Sequence, residues 1–101
     1  MGLFSFLFGN KTKKIQEFVS RNAVIIDVRT KAEFSSGAIP GSKNIPLQQI
    51  SVRIKDIKKW DKPVITCCAT GMRSGSAAGI LRSHGIEAMN GGGWANLEQK
   101  L

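Results

Sequence analysis

The chain has no tyrosine, one histidine and two cysteines. It also has no apolar run approaching the roughly 18 residues that a membrane-crossing helix needs. Each shortage removes a class of function. With aromatics at 7% and no tyrosine there is little from which to build a base-stacking platform. The two cysteines, Cys67 and Cys68, are neighbours; a bond between them would close a strained ring, so no disulfide framework is expected. Two thiols alone are also too few ligands for a metal site. No metal or cofactor is expected. With no secretory signal read at the start, the expected setting is reducing and cytoplasmic.

What is present fits one soluble domain: 101 residues, 42% of them hydrophobic. The net charge is +8, from 15 basic and 7 acidic residues. The basic residues are scattered, as Lys11, Lys13, Lys14, Arg53, Lys55, Lys58, Lys59 and Lys62, and no recognition-helix or RNA-binding signature accompanies them. A solvated basic surface is expected, with no nucleic-acid partner. Such a field still draws in small anions.

The order of elements is legible from punctuation and periodicity. Residues 1–12 form an apolar and basic stub ahead of a domain at 13–101. Within the stub, Met1 to Gly9 reads MGLFSFLFG. It is expected either to fold back on the domain or to contact a membrane or partner, with Lys11, Lys13 and Lys14 facing anionic headgroups. Ile15, Phe18 and Val19 predict a helix over Lys13 to Arg21. The β-branched run Val24 to Val28 predicts a strand buried on both faces. A short helix is expected at Lys31 to Ser35, with Thr30 as its cap, and a short strand near Asn44-Ile45. Leu47, Ile50, Ile54 and Ile57 form an apolar stripe that predicts a helix from Leu47 to Lys59. A second strong strand should follow at Val64 to Cys67, and a helix at Ser74 to His84. A last strand is expected at Ile86 to Met89, a turn at Gly91 to Gly93 and a closing helix at Trp94 to Leu101. Alternation of doubly buried strands with helices predicts a parallel sheet covered on both faces.

The chemistry concentrates in Cys68-Ala69-Thr70-Gly71-Met72-Arg73-Ser74, between the second strong strand and its helix. Ligand sites of parallel sheets lie beyond the carboxyl ends of strands, and Cys68 falls at such an end. Loop N–H groups and a helix N-terminus converge there on one point, and Arg73 adds a forked cationic donor. Positive potential favours thiolate over thiol. The pattern predicts a cysteine nucleophile acting on an anionic substrate, with Ala69 to Arg73 supplying N–H groups. Gly71 is expected to take a positive φ or allow a close backbone approach, and Ser74 to steady the loop.

Cys68-x-x-Gly71-x-Arg73-Ser74 resembles the active-site loop of the rhodanese (sulfurtransferase) family. A second block is similar to that family's pattern: Asp27-Val28-Arg29-Thr30-Lys31-Ala32-Glu33-Phe34, then Gly37-Ala38-Ile39-Pro40-Gly41-Ser42, then Asn44-Ile45-Pro46-Leu47. A weaker third match is Gly91-Gly92-Gly93-Trp94. The family's usual histidine after Gly37 is Ala38 here. The resemblance implies a three-layer α/β/α domain around a mainly parallel sheet of five strands. It also implies a ping-pong reaction: the Cys68 thiolate takes the outer sulfur of a thiosulfate-like donor, and the resulting persulfide passes that sulfur to cyanide, a thiol or a protein. The loop N–H groups would share the negative charge of the persulfide. No general base would be needed.

Alternatives remain open at this stage. Cys67-x5-Arg73 also matches the C-x5-R loop of cysteine phosphatases and arsenate reductases, which share the fold with a loop one residue longer. The spacing of Gly71 and Arg73-Ser74 favours Cys68 as nucleophile. A sulfur-carrier or binding module is a third reading. Arg73 either faces the anion or braces the loop against a carboxylate, Asp27 or Glu33. Arg29 either lines the mouth or makes a structural ion pair.

Overall fold

Every residue of Val64–Cys68 is buried, and the fold is arranged around that strand. The computed structural model describes residues 2–101, with side chains from Asn10 onward. The elements are α1 (Gly2–Ser20), β1 (Val24–Asp27), α2 (Lys31–Ser35), β2 (Lys43–Asn44), α3 (Leu47–Ile50), a 3-10 turn (Ser51–Arg53), α4 (Ile54–Lys59), β3 (Val64–Cys68), α5 (Met72–Ser83), β4 (Ala88–Gly93) and α6 (Trp94–Glu98). The side-chain contacts expected of the Met1–Gly9 stub lie outside the described residues.

The sheet is parallel, in the order β2-β1-β3-β4. Parallel neighbours need a crossover between them, and the helices on the two faces supply it. Strand alternation divides the core in two. On one face Ile26, Val28, Val64 and Cys68 pack with Ile50, Ile54 and Ile57 and with Ala77, Ala78 and Leu81 of α5. On the other, Ile65, Cys67 and Met89 pack with Ile15 and Phe18 of α1 and Leu97 near the end of the chain. Each fully buried isoleucine contributes about 1.5–3 kcal/mol of hydrophobic stabilisation. Adjacent cysteines therefore sit in different cores: Cys68 under α5, Cys67 under α1 and α6.

The described residues form four strands rather than the five that the resemblance implied. Four is also the number of strands read from the residues themselves, before the resemblance. The stripe at Leu47 to Lys59 keeps its buried positions Ile50, Ile54 and Ile57, but the helix is interrupted by the 3-10 turn. The third strand extends to Cys68, and α5 starts at Met72, two residues ahead of Ser74. The turn expected at Gly91 to Gly93 is strand instead. These glycines are there for close approach: a Cβ on Gly91 would stand 2.7 Å from Ile65 and 2.9 Å from the Thr66 carbonyl, and one on Gly93 would stand 2.9 Å from the Ala69 carbonyl. The closing helix is shorter than expected, ending at Glu98.

Candidate active site

β3 ends on Cys68 and α5 begins at Met72, so three residues make the connection. Gly71 turns the chain, with φ +103°, a conformation that a side chain disfavours. It also packs tightly, since a Cβ there would lie 3.3 Å from the Gly92 Cα. The result of this turn is that the Gly71 N–H donates to Cys68 Sγ at 3.0 Å. The Ser74 N–H, in the first turn of α5, approaches the same sulfur at 3.4 Å, and the Ser74 hydroxyl lies 3.3 Å away. Cys68 itself is fully covered, with Ala69 and Thr70 exposed at the mouth and Met72 81% exposed beside it.

The two thiols differ in chemistry as well as in placement. Burial pushes the Cys68 thiol up, but the hydrogen bonds that its ionised sulfur receives from the Ser74 hydroxyl and from the N–H groups of Ser74, Gly71 and Thr70 outweigh burial. Cys68 therefore lies below its ordinary value of 9.0. Among the described residues Cys67 has no such donors. Burial, and then the charge of Asp27, push it up to about 12.

The carboxylates sort themselves between two arginines. Arg73 meets Glu33 in a forked pair, at 2.8 and 3.0 Å. Glu33 also closes the cap of α2, accepting from the Thr30 N–H at 3.0 Å while Thr30 Oγ1 accepts from the Glu33 N–H at 3.2 Å. Asp27 is not the partner of Arg73. It binds Arg29, whose Nε lies 2.9 Å and whose Nη2 lies 2.7 Å from its carboxylate oxygens. Arg29 is buried rather than set at the mouth. Its remaining donors reach the carbonyls of Gly37 at 2.6 Å and Glu33 at 3.3 Å, and it stacks 4.8 Å from the Trp94 ring centroid. Asn44 completes this scaffold by donating to the Asp27 and Arg29 carbonyls. Asp27 and Arg29 thus fix the connection after β1, which presents Glu33 to Arg73.

Sequence reasoning missed Asn90. Its side chain bonds the Gly71 carbonyl, the Ser74 hydroxyl and the Gly92 N–H. The sequence carried no local signal for it, because the expected strand stopped at Met89 whereas β4 runs on through Asn90 to Gly93.

A strand-end thiol ringed by N–H donors suits stabilisation of a sulfur-centred anion. The family model for the Rhodanese-like domain matches residues 11–99, and the chain belongs to that family. Uncharacterized protein YqhL of Bacillus subtilis (strain 168) is 46% identical over 77 residues, covering 74% of this chain and 60% of its own. The chain thus spans about six tenths of that relative. Thiosulfate sulfurtransferase GlpE of Pseudoalteromonas translucida (strain TAC 125) is 35% identical over 74 residues, covering 70% of each. The crystal structure of a rhodanese-like domain protein from Staphylococcus aureus superposes with a TM-score of 0.71 at 30% identity, covering 86% of each chain.

Proposed function

We propose that the protein transfers a sulfane sulfur from a small anionic donor such as thiosulfate, through a persulfide on Cys68, to a thiophilic acceptor: cyanide, a thiol or a protein thiol. The Cys68 thiolate attacks the outer sulfur of the donor. A new sulfur–sulfur bond forms, the bond to the sulfonate sulfur breaks, and sulfite departs with the electron pair. The acceptor anion then attacks the terminal sulfur of the persulfide, and Cys68 leaves as thiolate. Charge is conserved in both halves, and no proton need be moved by a side chain. The N–H groups of the loop from Ala69 to Ser74 stabilise the terminal sulfur, and the net positive charge favours approach of the donor.

The observation that carries this reading is the convergence of the Gly71 and Ser74 N–H groups on Cys68 Sγ. Arg73 acts by holding the loop through Glu33. The C-x5-R phosphatase reading requires Cys67 as nucleophile. That thiol packs with Ile15, Phe18, Ile65 and Leu97 on the opposite face and is held at about 12. A reducing, cytoplasmic setting suits a mechanism that needs a free thiolate, and among the described residues no helix is long and apolar enough to cross a membrane. Thiocyanate formation from thiosulfate and cyanide tests the proposal. Cys67→Ala should retain most of the activity and Cys68→Ala none; loss confined to Cys67→Ala would overturn it.

A further inference from the structure

The Asn90 amide has its orientation fixed by two backbone groups. The Gly92 N–H donates to Oδ1 at 2.9 Å, so that atom is the oxygen. Nδ2 donates to the Gly71 carbonyl at 2.9 Å. The Ser74 hydroxyl lies 2.7 Å from Oδ1. An amide oxygen only accepts, so the single hydroxyl proton of Ser74 points at Asn90. The Ser74 oxygen then presents a lone pair to Cys68 Sγ, 3.3 Å away. That arrangement suits Cys68 as a thiol, with S–H donating to Ser74. It does not suit a thiolate or a persulfide anion, which needs donors only.

We infer that Asn90 is a positioning residue that acts on Cys68 through Ser74. It holds the Ser74 hydroxyl proton while Cys68 is a thiol, and the hydroxyl turns that proton to the sulfur when Cys68 ionises. No proton changes owner in the turn. The thiol proton leaves to solvent, and Asn90 Oδ1 keeps the Gly92 N–H. Asn90 also tethers the Gly71 carbonyl, which holds the peptide ahead of α5 while the Gly71 N–H aims at the sulfur. Asn90 therefore links β4 to two of the donors of the cradle, the Ser74 hydroxyl directly and the Gly71 N–H through its residue's carbonyl. The inference deepens the proposed function, but it needs only that Cys68 ionises.

Other charged groups surround the sulfur. Arg73 of α5 is paired with Glu33 of α2, and the Arg29–Asp27 pair lies past β1. Cys67 is adjacent on β3, and on α1 the Lys11 Nζ lies 3.5 Å from the Cβ position at Gly92. Cys67 is replaced by alanine in every arm, and a double-mutant cycle on that background leaves the others in place. The readout is the pH dependence of Cys68 alkylation, with Cys67→Ala present throughout, compared for Asn90→Leu, Ser74→Ala and the pair. Loss of the Gly71 tether is common to both arms and cancels. With Ser74 present, Asn90→Leu should lower the inflection by about half a pH unit more than it does with Ser74→Ala, a roughly threefold difference in thiolate fraction. Asn90→Asp, whose carboxylate grips the hydroxyl harder, should give a difference of opposite sign. Equal shifts in the two backgrounds, or the same sign for both variants, would overturn the inference. Alkylation does not depend on sulfur transfer, so a failed transfer assay would leave this result standing.

Discussion

Arg73 and Glu33 lie forty residues apart in the chain and meet through two parallel bonds of 2.8 and 3.0 Å. The same carboxylate closes the cap of α2, so one side chain fixes both the segment after β1 and the start of α5. Arg73→Lys keeps the charge and loses the fork. Transfer activity should fall about tenfold and the melting temperature by a few degrees, because the loop loses its brace. A rise in donor KM alone, at an unchanged melting temperature, would assign Arg73 to donor binding instead.

Glu33 also sets an acid limit. The Arg73 guanidinium, and then the Thr30 N–H, lower it from 4.5 to about 2. A carboxylate lowered on folding stabilises the protein fully above its unfolded value and loses that contribution as pH falls through the folded one. Thermal midpoints of the wild type should therefore decline between about pH 4.5 and pH 2. Glu33→Gln should be less stable near neutrality and flatter across that window. Parallel curves for the two proteins would contradict the pairing.

The native protein should alkylate at one thiol. Cys68 should react with an inflection below 9.0, whereas Cys67, buried and held at about 12, should label only after unfolding. Peptide mapping of the labelled protein, native and denatured, checks this. Native labelling at Cys67 would undo the assignment.

Gly71→Ala should cost about 1–3 kcal/mol. Its φ of +103° disfavours a Cβ, and that Cβ would press on the Gly92 backbone. Activity should fall further than stability, because relief of the strain turns the Gly71 N–H away from the sulfur. Chemical denaturation and thiocyanate formation report the two effects separately.

Much of this was legible because the signals were local. β1 and β3 announce themselves as apolar β-branched runs, Thr30 as a helix cap, and the cysteine loop as a strand, a glycine and a helix start. The rest depended on partners distant in the chain. Gly91 to Gly93 looks like a turn until Ile65, Thr66 and Ala69 are seen pressed against it. Asn90 carries no meaning until the register of β3 and β4 sets it opposite Thr66, near Gly71 and Ser74. The choice of Glu33 over Asp27 for Arg73 rests on Arg29, which has already taken Asp27.

The central claim is that Cys68 carries the sulfur. Intact mass after incubation with excess thiosulfate and desalting tests it most directly. The wild type and Cys67→Ala should each gain one sulfur atom, which cyanide removes, and Cys68→Ala should gain none. An adduct on Cys68→Ala, or no adduct on a wild type that still turns over, would contradict it.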